Sequence, residues 1–118
     1  MLLKGIKVLD LSTLLPGPMC SLFLADLGAE VIKLESLNGD QMRYFEVDSN
    51  NKKTSPYFLA LNRNKKSISL NLKTQEGRDI FMKLVKEVDV LIEGFRPNKL
   101  DSLGIGYTKV KKVNPKIV

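Results

Sequence analysis

With 118 residues, 43% of them hydrophobic and 27% charged, the chain can form one small globular domain around a single core of limited size. One cysteine and no histidine exclude an intrachain disulfide, a cysteine metal cluster and the usual imidazole and zinc chemistries. The net charge of +6 is lopsided: residues 1–50 carry four Lys/Arg against seven Asp/Glu and residues 51–118 carry fifteen against six, so the second half faces anions, whether nucleic acid, a phosphorylated ligand or water alone.

Ile6–Leu11 is short, rich in branched apolar residues and bounded by Gly5 and Ser12-Thr13, as a buried strand should be. Met19, Leu22, Phe23 and Leu27 recur at helical spacing after Pro18, which suits a first helical position, and Gly28 stands where a left-handed cap is wanted. Cys20 reads as a small core residue of that helix. Val31–Glu35 predicts a second strand, parallel to the first across a right-handed crossover. Residues 36–56 have no period and a turn-forming composition, which marks a lid or a disordered segment. Tyr57–Leu61 predicts a short helix or turn, and Ser67–Asn71 alternates as a third strand.

Thr74 can cap the next helix, with Glu76 in its first turn, and Ile80, Phe81, Leu84, Val85 and Val88 form its apolar face. Asp89–Glu93 predicts a fourth strand, followed by a turn at Gly94–Pro97, a short helix stopping at Gly104 and another from Thr108 to before Pro115. Lys116-Ile117-Val118 looks like the opening of a fifth strand. No run approaches the roughly 18 to 20 apolar residues of a membrane span, the N-terminus lacks the marks of a signal peptide, and the expected location is the cytoplasm.

Alternating strands and helices define an α/β fold, Rossmann-like and doubly wound, with a mainly parallel sheet that is incomplete at its C-terminal end. Ligands of such sheets bind at the carboxyl ends of the strands, a rim made here by Ser12–Pro18, Glu35–Asn38, Asn71–Thr74 and Gly94–Pro97. The first of these offers one glycine where a dinucleotide loop needs three, and Pro16 and Pro18 lack the N–H groups that would hold a pyrophosphate. An NAD or FAD site is rejected despite Glu35, which occupies the position of a ribose-binding acid. A stiff, donor-poor turn suits a flat base or an acyl thioester instead. Phe95 can stack on a base or plug the core, and Arg96 can pair with phosphate or stand in water; Lys73 has the same two readings.

Gly5-Ile-Lys-Val-Leu-Asp-Leu-Ser12, Pro16-Gly-Pro18, Leu24-Ala-Asp-Leu-Gly-Ala-Glu-Val-Ile-Lys-Leu-Glu35, the stretch from Leu61 to Lys73, Glu76-Gly77, Asp89-Val-Leu-Ile-Glu-Gly-Phe-Arg-Pro97 and Leu103-Gly-Ile-Gly-Tyr107 together resemble, in order, the start of the class III CoA-transferases of the CaiB/BaiF type. That family includes formyl-CoA and carnitine CoA-transferases and alpha-methylacyl-CoA racemases; the Pro-Gly-Pro turn and Glu-Gly-Phe-Arg-Pro look most like the racemase branch. The resemblance implies that residues 1–118 are the N-terminal, CoA-binding part of a larger fold. It also implies that the substrate is an acyl-CoA thioester, that no cofactor is tightly bound, and that full-length subunits interlock as dimers.

By the same resemblance Leu14, Leu15, Pro16, Leu70, Lys73, Gly94, Phe95, Arg96 and Leu103 line the CoA adenine and phosphate region. Two arginines frequent in the family are replaced by Ser36 and Ser102, which removes charge-assisted bonds of about 1.5–3 kcal/mol each. The family's aspartate nucleophile, and the histidine and aspartate of its racemases, fall beyond the point corresponding to Val118. No catalytic residue is assigned, Asp10 and Asp26 included. The chain is expected to be inactive alone and to need a second copy or a downstream half of the same enzyme, with an exposed sheet edge favouring association. Two alternatives belong beside this racemase-like reading: part of a transferase moving CoA between carboxylic acids, and a non-catalytic binding or scaffold module. Nucleic-acid binding lacks aromatics among the lysines and any reader motif.

Overall fold

The computed structural model describes residues 1–47 and 54–118; the part of the expected lid or disordered segment at 48–53 lies outside the described residues. Four short strands, β1 (Lys7–Asp10), β2 (Glu30–Glu35), β3 (Lys65–Ser69) and β4 (Val90–Ile92), form one parallel sheet in the order β3-β2-β1-β4. Helix α1 (Pro16–Asp26) joins β1 to β2, and a 3-10 turn at Gln41–Tyr44 and α2 (Pro56–Asn62) lie between β2 and β3. Helix α3 (Gln75–Glu87) leads to β4, and α4 (Lys99–Ser102) and α5 (Tyr107–Val113) follow.

Successive strand residues point to opposite faces, so the sheet sorts two cores. Val8 and Val31 meet Ala25 and Ala29 on the α1 side. Leu9, Leu11 and Leu34 meet Phe81, Val85, Val88 and Val110 on the side of α3 and α5. Because β2 and β3 are added on one side of β1 and β4 on the other, the winding reverses between β1 and β4, the point at which doubly wound sheets open a crevice.

Several elements depart from expectation in ways the packing explains. Helix α1 begins at Pro16, not Pro18, and lies with Pro18, Ser21, Leu22 and Ala25 inward. Met19, Phe23 and Leu27 are turned to solvent, Phe23 with 58% exposure, and Cys20 is exposed instead of being a core residue. Small inner residues are required because the helix starts against the end of β1: a Cβ on Gly17 would stand 2.2 Å from the Ser12 Cβ. Strand β3 starts two residues earlier than the alternation predicted, since its pairing with β2 runs from Val31↔Lys65 to Glu35↔Ser69 and Asn71 belongs to the following turn.

Another reading holds. Thr74 caps α3, its hydroxyl accepting from the Gly77 N–H at 3.1 Å. The fifth strand expected at Lys116-Ile117-Val118 is not formed, Lys116 lying in a turn, although Val118 runs along the outer edge of β4, donating its N–H to the Asp89 carbonyl (3.0 Å) and accepting from the Leu91 N–H (2.9 Å). No helix among the described residues is long and apolar enough to cross a membrane.

On α3 the expected apolar face is right except at its edge: Phe81 and Val85 are fully buried, whereas Ile80 is 41% exposed. Phe81→Ala is therefore expected to destabilise the fold by about 3–5 kcal/mol in urea denaturation, against less than about 1 kcal/mol for Ile80→Ala. Equal costs would mean that α3 docks on a different face.

Candidate functional site

At the carboxyl end of the sheet, β1 and β4 stay paired one residue past the last strand residue, with the Leu11 N–H on the Ile92 carbonyl at 2.8 Å. Beyond that the chains part into two turns that stand side by side: a Cβ on Gly94 would lie 3.9 Å from the Ser12 Cβ. This sets the start of the turn that carries Leu14, Leu15 and Pro16 beside Gly94, which opens the turn that carries Phe95 and Arg96. Phe95 is not a core plug, since it is 36% exposed, and its N–H is held by the Glu93 carboxylate at 2.8 Å. Arg96 is exposed and lines a cavity of about 480 Å³ together with Ile92, Lys99 and Tyr107.

The turn after β1 is built on buried charge. Asp10 is fully buried; its carboxylate accepts from the Ser12 N–H (2.9 Å) and from the hydroxyls of Ser12 and Ser21, with Lys65 Nζ at 3.5 Å. Lys65 also donates to the Pro18 carbonyl (2.8 Å) and to Asn62 Oδ1 (2.9 Å). Burial pushes the Lys65 ammonium down to about 8 against the pull of Asp10. Next to it, buried Lys33 donates to the Ser12 carbonyl at 2.8 Å and lies 2.9 Å from Asp40. Among its first three positions α1 offers only the Gly17 N–H, because Pro16 and Pro18 have none. The turn is thus rigid and poor in donors, and Leu14 sits in it with φ +66°, a left-handed conformation that costs a non-glycine residue about 1–2 kcal/mol.

The remaining expected residues are spread along the rim. Leu70 is in the core, its N–H on the Glu35 carbonyl at 3.0 Å. Lys73 is exposed in a turn that Arg78 braces through the carbonyls of Leu72 (3.2 Å) and Lys73 (2.9 Å). Leu103 is half-buried and borders a second cavity with Arg78, Met82 and Lys109. The Ser102 hydroxyl donates to the Lys99 carbonyl at 2.7 Å, and the Ser36 carbonyl accepts from the Ser69 hydroxyl at 3.0 Å.

Glu35, the residue at the ribose-binding position, is fully engaged. Arg43 grips its two oxygens at 2.7 and 2.6 Å while lying over the Phe58 ring, and the Asp40 N–H and Ser67 hydroxyl, both at 2.8 Å, complete the set. Motif reading had no purchase on Asp40, Lys33 and Lys65. The one available signal was Lys33, a charge within the apolar strand segment Val31–Leu34.

Fold and rim describe an α/β protein whose turn after β1 lacks the backbone donors of a pyrophosphate loop. The sequence pattern of CoA-transferase family III matches residues 3–118, and the chain belongs to that family. It is similar to an acyl-CoA transferase of Fusarium pseudograminearum (45% identical, covering 98% of this chain and 27% of that protein) and to a formyl-CoA:oxalate CoA-transferase of Streptomyces coelicolor (42%, covering 98% and 28%). A CaiB/BaiF family protein from Brucella suis has the same fold, with a TM-score of 0.91 at 41% identity over 98% of this chain and 31% of its own. The chain spans less than a third of the length of these relatives.

Burial pushes the Glu35 carboxyl up, but the bonds from Arg43, Asp40 and Ser67 outweigh it and bring it from 4.5 to about 2. A carboxyl lowered in the folded state adds stability that is complete above its ordinary range and is lost as pH falls through the folded value. Between pH 5 and 2 the unmodified chain is therefore expected to lose stability more steeply than Glu35→Gln in chemical denaturation. Parallel slopes would show that the Arg43 clamp contributes nothing.

Proposed function

We propose that this chain forms the CoA-thioester-binding part of a CoA-transferase, with acyl-CoA held at the crevice between the Leu14–Pro16 turn and the Gly94–Arg96 turn. The observation that carries this reading is the pairing of a donor-poor apolar turn with a turn bearing an exposed aromatic and a guanidinium, at the switch point of a doubly wound sheet. Leu14 and Leu15 offer apolar surface to the thioester or base. Phe95 stacks, Arg96 pairs with phosphate, and Lys73 adds a second cation on the β3 side. Chemistry at the thioester is assigned to no group of residues 1–118 and falls to a further segment of the same enzyme, in the same subunit or in a second one.

Transfer is preferred to racemisation. The named relatives of known activity are transferases, whereas the racemase likeness rests on the Pro-Gly-Pro and Glu-Gly-Phe-Arg-Pro stretches alone. In an enzyme containing this chain, transfer is expected to move CoA to a free carboxylate without exchanging the proton next to the thioester. Deuterium uptake at that carbon without CoA exchange would favour the racemase.

Calorimetric titration of the chain with CoA is expected to give heat that weakens with added salt. Arg96→Ala and Lys73→Ala should each reduce affinity by roughly tenfold or more, the worth of one charge-assisted bond. Absence of heat and of any thermal shift at millimolar CoA would sink the proposal and leave the binding or scaffold role.

A further inference from the structure

One buried carboxylate ties together two loops that the chain separates by some twenty-five residues. Asp40, 1% exposed, lies beyond β2, yet its Oδ1 accepts from the N–H of Leu14 at 3.1 Å as well as from its own turn at Met42 N–H, 3.0 Å. Its other oxygen is 2.9 Å from Lys33 Nζ, out of line for a hydrogen bond, and Lys33 in turn donates to the Ser12 carbonyl. Leu14 is the residue that needs such support. It is a branched side chain in a left-handed conformation, and at 45% exposure its own packing does not offset the strain. Backbone strain held by its surroundings at a ligand site points to a positioned group.

We propose that Asp40 is a positioning residue for the Leu14–Pro16 wall. By accepting from the Leu14 N–H it holds that backbone left-handed and presents the Leu14 and Leu15 side chains at the crevice. Lys33 neutralises Asp40 and anchors the other end of the same turn. The consequence for affinity rests on the CoA reading above; the clamp itself does not.

Two double variants separate the hydrogen bond from the charge without leaving Lys33 buried and unpaired. Lys33→Met with Asp40→Asn keeps an acceptor in place of Oδ1, whereas Lys33→Met with Asp40→Leu removes it at similar volume. Amide hydrogen exchange and the backbone scalar coupling of Leu14 read the clamp, CoA titration reads the wall, and the urea midpoint reads stability. Both variants lose the Lys33 bond to the Ser12 carbonyl, so the comparison is between them: the Asn variant is expected to keep the Leu14 amide protected and to bind CoA at least about fivefold more tightly than the Leu variant. The Leu variant is expected to expose the amide and lose about tenfold in affinity, the size of the strain it can no longer offset.

An unchanged Leu14 amide and coupling in the Leu variant would overturn the clamp. Altered Leu14 signals with wild-type CoA affinity would overturn the positioning role, and so would equal affinity losses in the Asn and Leu variants. An unmodified chain that does not bind CoA would instead overturn the CoA reading and the affinity consequence with it, and the exchange data would still decide the clamp.

Discussion

The carboxyl half of the sheet's α1 face is held by a quartet of buried charges, Asp10 and Lys65 beside Lys33 and Asp40, where an apolar core would ordinarily be. Each charge has a partner and further hydrogen bonds, which burial demands. Removing one member would leave its neighbour buried and uncompensated, a loss of about 3–5 kcal/mol. In return for that vulnerability the first turn, the helix it opens and the loop after β2 are fixed by directional bonds, and their relative placement is more specific than side-chain packing would make it.

From that constraint follows the kind of ligand the fold can take. A doubly wound sheet ordinarily greets a dinucleotide with a glycine loop after β1 and an acid after β2. Here Pro16 and Pro18 strip donors from the helix start, and Glu35 is occupied by Arg43, Asp40 and Ser67. Both customary contacts are closed. Cations are found instead on the turns after β3 and β4, at Lys73 and Arg96, with an apolar wall between them.

Much of this was readable in the sequence because local chemistry and tertiary packing agree. Val8, Leu9, Val31 and Leu34 are strand residues by type and by burial, Thr74 caps by side-chain chemistry, and the rim follows from alternating elements. The facing of α1 was misread because Met19, Phe23 and Leu27 lie outward while its inner side mixes Leu22 and Ala25 with Ser21 and Pro18. The start of β3 was misread because Lys65 resembles a loop residue until Asp10 is placed beside it. Asp40 was overlooked for the same reason. An acid in a polar stretch announces nothing until the three-dimensional structure puts Leu14 and Lys33 around it. Where polar groups do the packing, residue type predicts neither burial nor facing.

Helix α1 shows what this means for assembly of the fold. Leu15, Met19, Phe23 and Leu27 follow one another every four residues on the water side while Pro18, Leu22 and Ala25 face inward, so hydropathy alone gives the helix no preferred face. The deciding instruction is carried by Ser21, Asp10 and Lys65, and the last of these lies 55 positions from Asp10. The first strand–helix–strand unit therefore carries part of that instruction in Ser21 and Asp10, and the third strand completes it by bringing Lys65 to the same carboxylate.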